Sequence, residues 1–554
     1  MAVIPLVEQV LGLPLVLLVP LTFASSILVV VLLHRLTAVP YPPTIPLIRE
    51  PPGARRFSLR TRLAYYIDCE SLFVEAYEQY LKHGQPVVIP GVGVRKEIIV
   101  PPSRLRWLLS QPENQFSNTH GFAEMDQATY SLGDEKPILD PWQGLLVKTD
   151  INRMIETICA ALDNELGVAF DAHFGMDEHN WKEIDLRLVI ARAIAQANSR
   201  FTVGLPLCRN PDYLKTLLQQ NDLLITVAGA LCGMPAPLRP IVGTLASIPN
   251  RVLTRRVSGW LIPLWKDRVA TARKEAETGV TQTSQEEDHV LMMARYALKE
   301  RPEEVDDVKL IVRRITALNF GAVHNTSMQV TNLLLNVLGS DPKHNTIARL
   351  INESEQILAT ADSFDEAGRP RWTKTLVSKM KLADSVSRET LRLNPFGYRA
   401  MFRKVMVDGL KTEDGHELPK GNVLSYLGFS RQLCGEGYGA DPRTYDPFRF
   451  SRMRDEAAPV EQGSGEEKKT PVQTFVTTSP DFVPFGHGKH ACPGRFLIDF
   501  ELKMILSYVL RHYHLKFPDS YEGKRPENQW LAEATVPPLN VKICVKRKSQ
   551  EKRQ

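Results

Sequence analysis

The run PFGHGKHACPGRF at 484–496 carries the densest chemistry in the chain. Gly486 and Gly488 permit a tight loop whose backbone can approach a flat ligand. Cys492 follows at the point where an amphipathic run, FLIDFELKMILSYVL, opens a helix. Pro493 suits the first helical position. A cysteine there has its thiolate favoured by the helix N-terminus and by backbone N–H groups directed at sulfur, which keeps an anionic sulfur ligand ionised. Two other readings compete. His487, His490 and Cys492 offer zinc ligands, but H-x-x-H-x-C on a glycine-tight loop has no fourth ligand nearby. An isolated cysteine is also often a buried core thiol, with the glycines marking only a turn.

The stretch FGHGKHACPG at 485–494 resembles the haem-binding loop of the cytochrome P-450 family, F-x-x-G-x-R/H-x-C-x-G. Further matches stand in the family's order, so the resemblance covers nearly the whole chain. Glu389 and Arg392 in RETLRLNP match E-x-x-R, a carboxylate and a guanidinium one turn apart on one helix face. Arg449 of DPFRF matches the arginine that completes that charge cluster. On a helix surface such a pair is worth only about 0.3–0.5 kcal/mol, so order and company give it meaning.

The resemblance implies that Cys492 is the axial thiolate to the iron of haem b, a ligand that favours O–O cleavage. Phe485, Gly486 and Gly494 then shape the cofactor loop, and His490 and Arg403 reach the haem propionates. The family's W-x-x-x-R has no clean match around Trp142, Lys148 and Arg153, which leaves Lys148 as the candidate. The run Gly321-Ala-Val-His324-Asn325-Thr326 matches the oxygen-binding motif A/G-G-x-D/E-T-T/S. His324 takes the acid position and Asn325 replaces the usual threonine, so His324, Asn325 and Thr326 are the catalytic candidates for proton delivery to dioxygen, the co-substrate.

These groups need elements to position them. Apolar residues recur at three- and four-residue spacing over 150–166, 214–230, 285–299, 305–338 and 496–513, and strand-like runs occupy 86–90, 97–100 and 402–408. The class is mainly α with a minor β part, and the resemblance implies the cytochrome P-450 fold. Lys and Arg exceed Asp and Glu by 68 − 63 = +5, which excludes a nucleic-acid binder held by bulk charge. With 43% apolar and 24% charged residues the chain is neither disordered nor fibrous. Seven cysteines without a C-x-x-C pair argue against a disulfide framework and for a reducing compartment. The stretch EQGSGEEKKT at 461–470 reads as a solvated insertion, and the basic tail from Lys546 as a solvated end.

Residues 9–33 carry no charge, a run of about 25 residues that spans a ~30 Å hydrocarbon layer. Only Glu8 lies upstream, whereas Arg35, Arg49, Arg55, Arg56, Arg60 and Arg62 follow, placing the rest on the cytoplasmic side. A cleaved signal peptide would need a basic leader and a shorter core. Prolines then crowd a stiff hinge, giving an anchor at 1–35, a hinge at 36–56 and a haem-thiolate catalytic domain at 57–554. A second apolar stretch, 223–238, is broken by Pro235 and Pro237 and reads as an amphipathic loop dipping into the bilayer interface.

The resemblance further implies a single-pass protein of the endoplasmic reticulum membrane facing the cytosol, a small hydrophobic substrate, and electrons from NADPH through a separate membrane-bound NADPH-cytochrome reductase docking near Lys489, Arg495 and Lys503. The spelling GHGKHACPGRF with His324 resembles enzymes of filamentous-fungal secondary metabolism that oxidise terpenoids, meroterpenoids or indole diterpenes. A polyketide substrate, a diverted isomerase or dehydratase without net oxygen insertion, and a haem-binding module without turnover are the other readings.

Overall fold

The computed structural model describes residues 15–279, 287–434, 438–439, 441–456 and 473–549. The 461–470 insertion lies outside the described residues. Helices dominate, led by Trp142–Phe174, Leu186–Thr202, Pro211–Cys232, Ile248–Thr278, Val308–His344, Lys381–Leu393 and Arg495–His512. Local chemistry fixes their starts. Asp185, Asn210 and Asp307 each accept a backbone N–H from the first turn of the helix that follows, satisfying donors that have no partner within the helix.

The helix Val308–His344 runs through the interior with Leu333, Leu334, Leu335 and Val337 fully or almost fully buried. Its core is shared with apolar faces of Trp142–Phe174, Lys381–Leu393 and Arg495–His512. A second core lies under a five-stranded sheet ordered Val87–Pro90, Lys96–Val100, Val423–Leu427, Arg399–Val405 and Phe116–Ser117. Lys96–Val100 pairs with Val423–Leu427 in parallel and the other neighbours are antiparallel. A small hairpin, Gln529–Leu531 with Ala534–Val536, completes the wall near the site.

One described helix, Leu15–Thr37, is long and apolar enough to cross a membrane. The proline-rich segment after it lies against the sheet: Ile48 N donates to Val88 O at 3.0 Å, Val88 N to Pro46 O at 2.9 Å, and Asn422 Nδ2 to Pro40 O at 3.0 Å. Ile45, Leu47 and Ile48 are buried there.

Three sequence expectations change. The stretch 223–238 is not a loop: it finishes the helix Pro211–Cys232 and enters a short turn, Ala236–Leu238, followed by helices Arg239–Ala246 and Ile248–Thr278. Pro237, Pro240 and Pro249 sit in the first turns of these elements, where a missing N–H costs nothing, so prolines read as breakers are starters. The amphipathic character remains, because Ile241, Leu245, Ile248 and Val252 are exposed at helical spacing. The basic tail is not free at its start. Lys542–Arg547 is the middle strand of a three-stranded sheet, and the buried Arg547 donates to Asp171. The strand expected at 402–408 runs instead as Arg399–Val405, its register shifting between Ala400 and Arg403.

At the end of the helix Pro211–Cys232 the backbone meets the turn between the first two strands, with Val94 N donating to Gly233 O at 3.2 Å. A Cβ on Gly233 would lie 2.6 Å from Val92 O and 2.8 Å from Gly93 N, both backbone atoms that cannot swing away. Gly233→Ala is therefore expected to destabilise by about 1–3 kcal/mol. Gly229→Ala, one turn earlier in open space, is expected to stabilise by about 0.5–1 kcal/mol. Paired thermal or denaturant melts check both signs.

Candidate active site

The Cys492 loop is closed by its own backbone. Cys492 N donates to Phe485 O at 2.8 Å, Gly486 N to Val483 O at 2.8 Å and Ala491 N to Gly488 O at 3.1 Å. Gly486 and Gly488 have φ of +68° and +71°, the left-handed region that a side chain would disfavour. Phe485 packs edge-on against Phe475 at 5.3 Å. The helix begins at Arg495, so Pro493 occupies the turn before it and not the first helical position. Cys492 lies deep in the fold yet keeps an exposed surface, which does not fit a packed core thiol. Burial pushes its thiol up; the N–H groups of Gly494 and Arg495 and the Arg495 guanidinium pull it down but offset this only in part. The amide arrangement expected from sequence is present, while the balance without a bound cation favours the thiol. His487 turns away to Thr478 Oγ1 at 2.9 Å, so it does not join Cys492 and His490 in a metal site.

A polar corner gathers beside the loop. Arg403, 1% exposed, donates through Nη1 to Asn118 Oδ1 at 2.5 Å and to Phe402 O at 2.9 Å. Its Nη2 is buried without a partner, and so is His490 Nε2. Glu113 Oε2 faces His490 Nε2 at 3.6 Å, beyond hydrogen-bond range. Burial would raise the Glu113 carboxyl, but the Thr119 N–H, the Ser117 hydroxyl and His490 outweigh it and hold the group below the usual carboxylate range. His490 is lowered by burial and then by Arg403. Lys148 is exposed, and its charge also reaches His490. Two orphaned donors beside an accessible thiol fit a flat ligand with carboxylate arms.

The helix Val308–His344 separates the three catalytic candidates. Gly321 and Asn325, one turn apart, are exposed in the middle of a largely buried helix, and a Cβ on Gly321 would meet nothing within 4 Å. His324 borders the same face, stacked on Phe320 at 6.1 Å and met edge-on by Phe396 at 5.8 Å. Burial, and to a lesser degree Arg187, lowers it to about 4, and its Nε2 is buried without a partner. Thr326 is buried, about 100° around the helix from Asn325. Ser327 spends its hydroxyl on Val323 O at 2.6 Å. Sequence reasoning does not reach Glu113, Asn118, Phe320 or Phe396, whose only local signal is the Ser117-Asn118 helix start, where Ser117 caps His120 N at 3.0 Å.

The charge cluster comes together, and it is not a surface pair. Glu389 and Arg392 are wholly buried and joined by two hydrogen bonds of 2.8 Å, and Arg449 Nε reaches Glu389 Oε1 at 3.2 Å. Lys503, expected among the exposed docking cations, is 4% exposed and held by Asp499 at 2.7 Å and Asp384 at 3.3 Å. Its position four residues after Asp499 turns it inward, leaving Lys489 exposed and Arg495 half-buried over the Phe496 ring. A groove of about 900 Å3 along Trp142–Phe174 is lined by none of these groups.

Glu389→Gln removes the carboxylate between two guanidiniums and is expected to cost about 3–5 kcal/mol in a denaturant melt, far beyond a surface pair. His324, neutral in the fold and lowered from its ordinary value, binds fewer protons than it does in the unfolded chain between about pH 6.5 and 4. Stability therefore falls on acidification through that window, and His324→Gln is expected to flatten the loss in melts at stepped pH.

A family model described as Cytochrome P450 matches residues 159–545. The chain is 44% identical over 512 residues to the cytochrome P450 monooxygenase astC of Aspergillus terreus and, to the same degree, to pbrC of Penicillium brasilianum, covering 92% of this chain and 93% of each relative. It is 40% identical over 523 residues to the cytochrome P450 monooxygenase tenB of Beauveria bassiana, covering 94% of this chain and 95% of that one. Likeness of that extent takes in the cysteine loop, the buried charge cluster and the long central helix together, and it makes the chain a member of the cytochrome P450 family of haem-thiolate monooxygenases, oxidoreductases that use dioxygen.

Proposed function

We propose that the chain is a membrane-anchored monooxygenase that hydroxylates or otherwise oxidises a hydrophobic secondary metabolite of the terpenoid, meroterpenoid or indole diterpene class. The observation that carries the reading is the accessible Cys492 thiol on its glycine-tight loop, with the unpartnered Arg403 Nη2 and His490 Nε2 beside it. In this reading Cys492 would ligate the haem iron, Phe485, Gly486 and Gly494 would shape the loop, and Arg403, His490 and Lys148 would take the haem carboxylates. Haem b, when bound, supplies the dioxygen cleavage and oxygen insertion.

The protein's own share is positioning and exclusion. Asn118 holds Arg403 in place. Phe320, His324 and Phe396 make an apolar wall that orients substrate and limits water. Asn325, exposed on that helix face, offers a donor and an acceptor where the family carries a threonine, and it orders the proton path through water. Thr326 is turned out of that face, so the reading shifts the task to Asn325 and to His324 as a neutral relay.

The anchor Leu15–Thr37, the arginines that follow it and the exposed stripe Ile241, Leu245, Ile248 and Val252 support a single-pass placement in the endoplasmic reticulum membrane, with the catalytic part in the cytosol. The anchor passes beside the turn Ala236–Leu238, which brings the stripe to the same side. Substrate then enters from the bilayer, and electrons come from NADPH through a separate reductase docking near Lys489 and Arg495.

The ferrous carbonyl form is expected to show the red-shifted Soret band of a thiolate ligand, and Cys492→Ser to lose both the band and turnover. Yeast microsomes carrying this chain and a reductase, fed candidate terpenoids, are expected to yield products heavier by oxygen. Asn325→Thr is expected to change product formed per NADPH consumed, and an unchanged ratio removes Asn325 from the proton path.

A further inference from the structure

We propose that a polar pocket behind the Phe396 wall binds a small oxyanion. The pocket, about 290 Å3, opens between the central helix at Asn336, the end of Lys381–Leu393 at Asn394, and the approach to the hairpin at Arg525 and Asn528. It lies apart from Cys492, and the inference rests on the fold alone.

Arg525 is the reason. Its Nη1 donates to Pro526 O at 2.7 Å, and its Nη2 to Asn332 Oδ1 at 3.0 Å and Asn528 Oδ1 at 2.9 Å, all neutral oxygens. Its Nε and the Asn528 Nδ2 are buried without partners. The one carboxylate on the wall, Glu70, is already paired with Arg443 at 2.9 Å at the exposed mouth. Arg443 thus takes the one lining carboxylate, and no carboxylate among the described residues hydrogen-bonds Arg525, on which Glu527 acts only through space. Burial pulls that guanidinium down to about 10, opposed only by Tyr445 and Glu527.

A guanidinium withdrawn from water is normally paired with an anion. Water would satisfy the orphaned N–H groups but not the charge. The space exceeds the ~30 Å3 of one water several times over, which leaves room for a phosphate- or carboxylate-sized ion with its own solvent. An ion there would tie the hairpin approach to Asn394, two residues before Phe396, and so stiffen the wall that Thr535 N already holds through Phe396 O at 3.0 Å.

The test uses the full-length, haem-loaded protein in nanodiscs, melted at constant ionic strength while chloride is replaced by inorganic phosphate or by acetate. A saturable rise of about 2 °C is expected with an oxyanion and not with chloride. Saturation by phosphate alone assigns a tetrahedral ion, and saturation by acetate a carboxylate. Asn528→Asp sets a carboxylate against Arg525 without changing size; it is expected to raise the midpoint in the chloride buffer and to abolish the response. Arg525→Gln is expected to abolish the response without that gain, and if it does not fold, Asn528→Asp decides alone. Equal responses to all three salts, or an oxyanion response that persists in Asn528→Asp, would overturn the proposal.

Discussion

Glu389 is a carboxylate without solvent, held by Arg392 on its own helix, by Arg449 from a distant segment, and by Asp446 N at 3.2 Å. Removing these charges from water is costly, and the cost is met only if every partner is in place. The geometry therefore acts as a condition on the surrounding chain. Arg392 also donates to Gln432 O at 2.6 Å and lies over the Tyr438 ring, while Arg388 donates to Thr474 O and Thr477 O and covers the Phe482 ring at 3.7 Å. Phe482 precedes the turn from which the Cys492 loop departs, so the helix Lys381–Leu393 fixes the approach to the sulfur through charge and cation–π contact.

The opposite wall is set by a second buried network. Arg399 bonds Glu97 in the sheet and Glu533 at the hairpin turn, and Ser425 Oγ completes its contacts at 3.2 Å. Ala532, beside Glu533, has a φ of +53°, a conformation that a non-glycine residue holds only when its surroundings demand it. The pinned turn leans on the segment that carries Phe396, and Phe396 meets His324. Sheet, hairpin and central helix are thereby linked by charge at one end and aromatic contact at the other.

Much of this was legible where chemistry is local. The glycines and cysteine of 485–494, the E-x-x-R spacing, and the helices over 214–230 and 496–513 all depend on neighbours within a few residues. What escaped depends on partners far along the chain. Asn118 meets Arg403, Phe396 meets His324, and Lys503 turns inward to Asp384, none of which has a spacing to read. The prolines after Cys232 misled for a different reason: the same residue ends one helix or starts the next, and only the order of elements tells which.

The last strand, Lys542–Arg547, lies between Lys182–Asp185 and Tyr513–Lys516 and not at an edge. Its pairing with Lys182–Asp185 therefore joins Glu183 to Lys542 across 359 positions of sequence, and Asp171 waits 376 positions for Arg547. During synthesis the helices between these strands are made before their closing partner arrives. The seam beside Asp171 thus stays open until Arg547 docks.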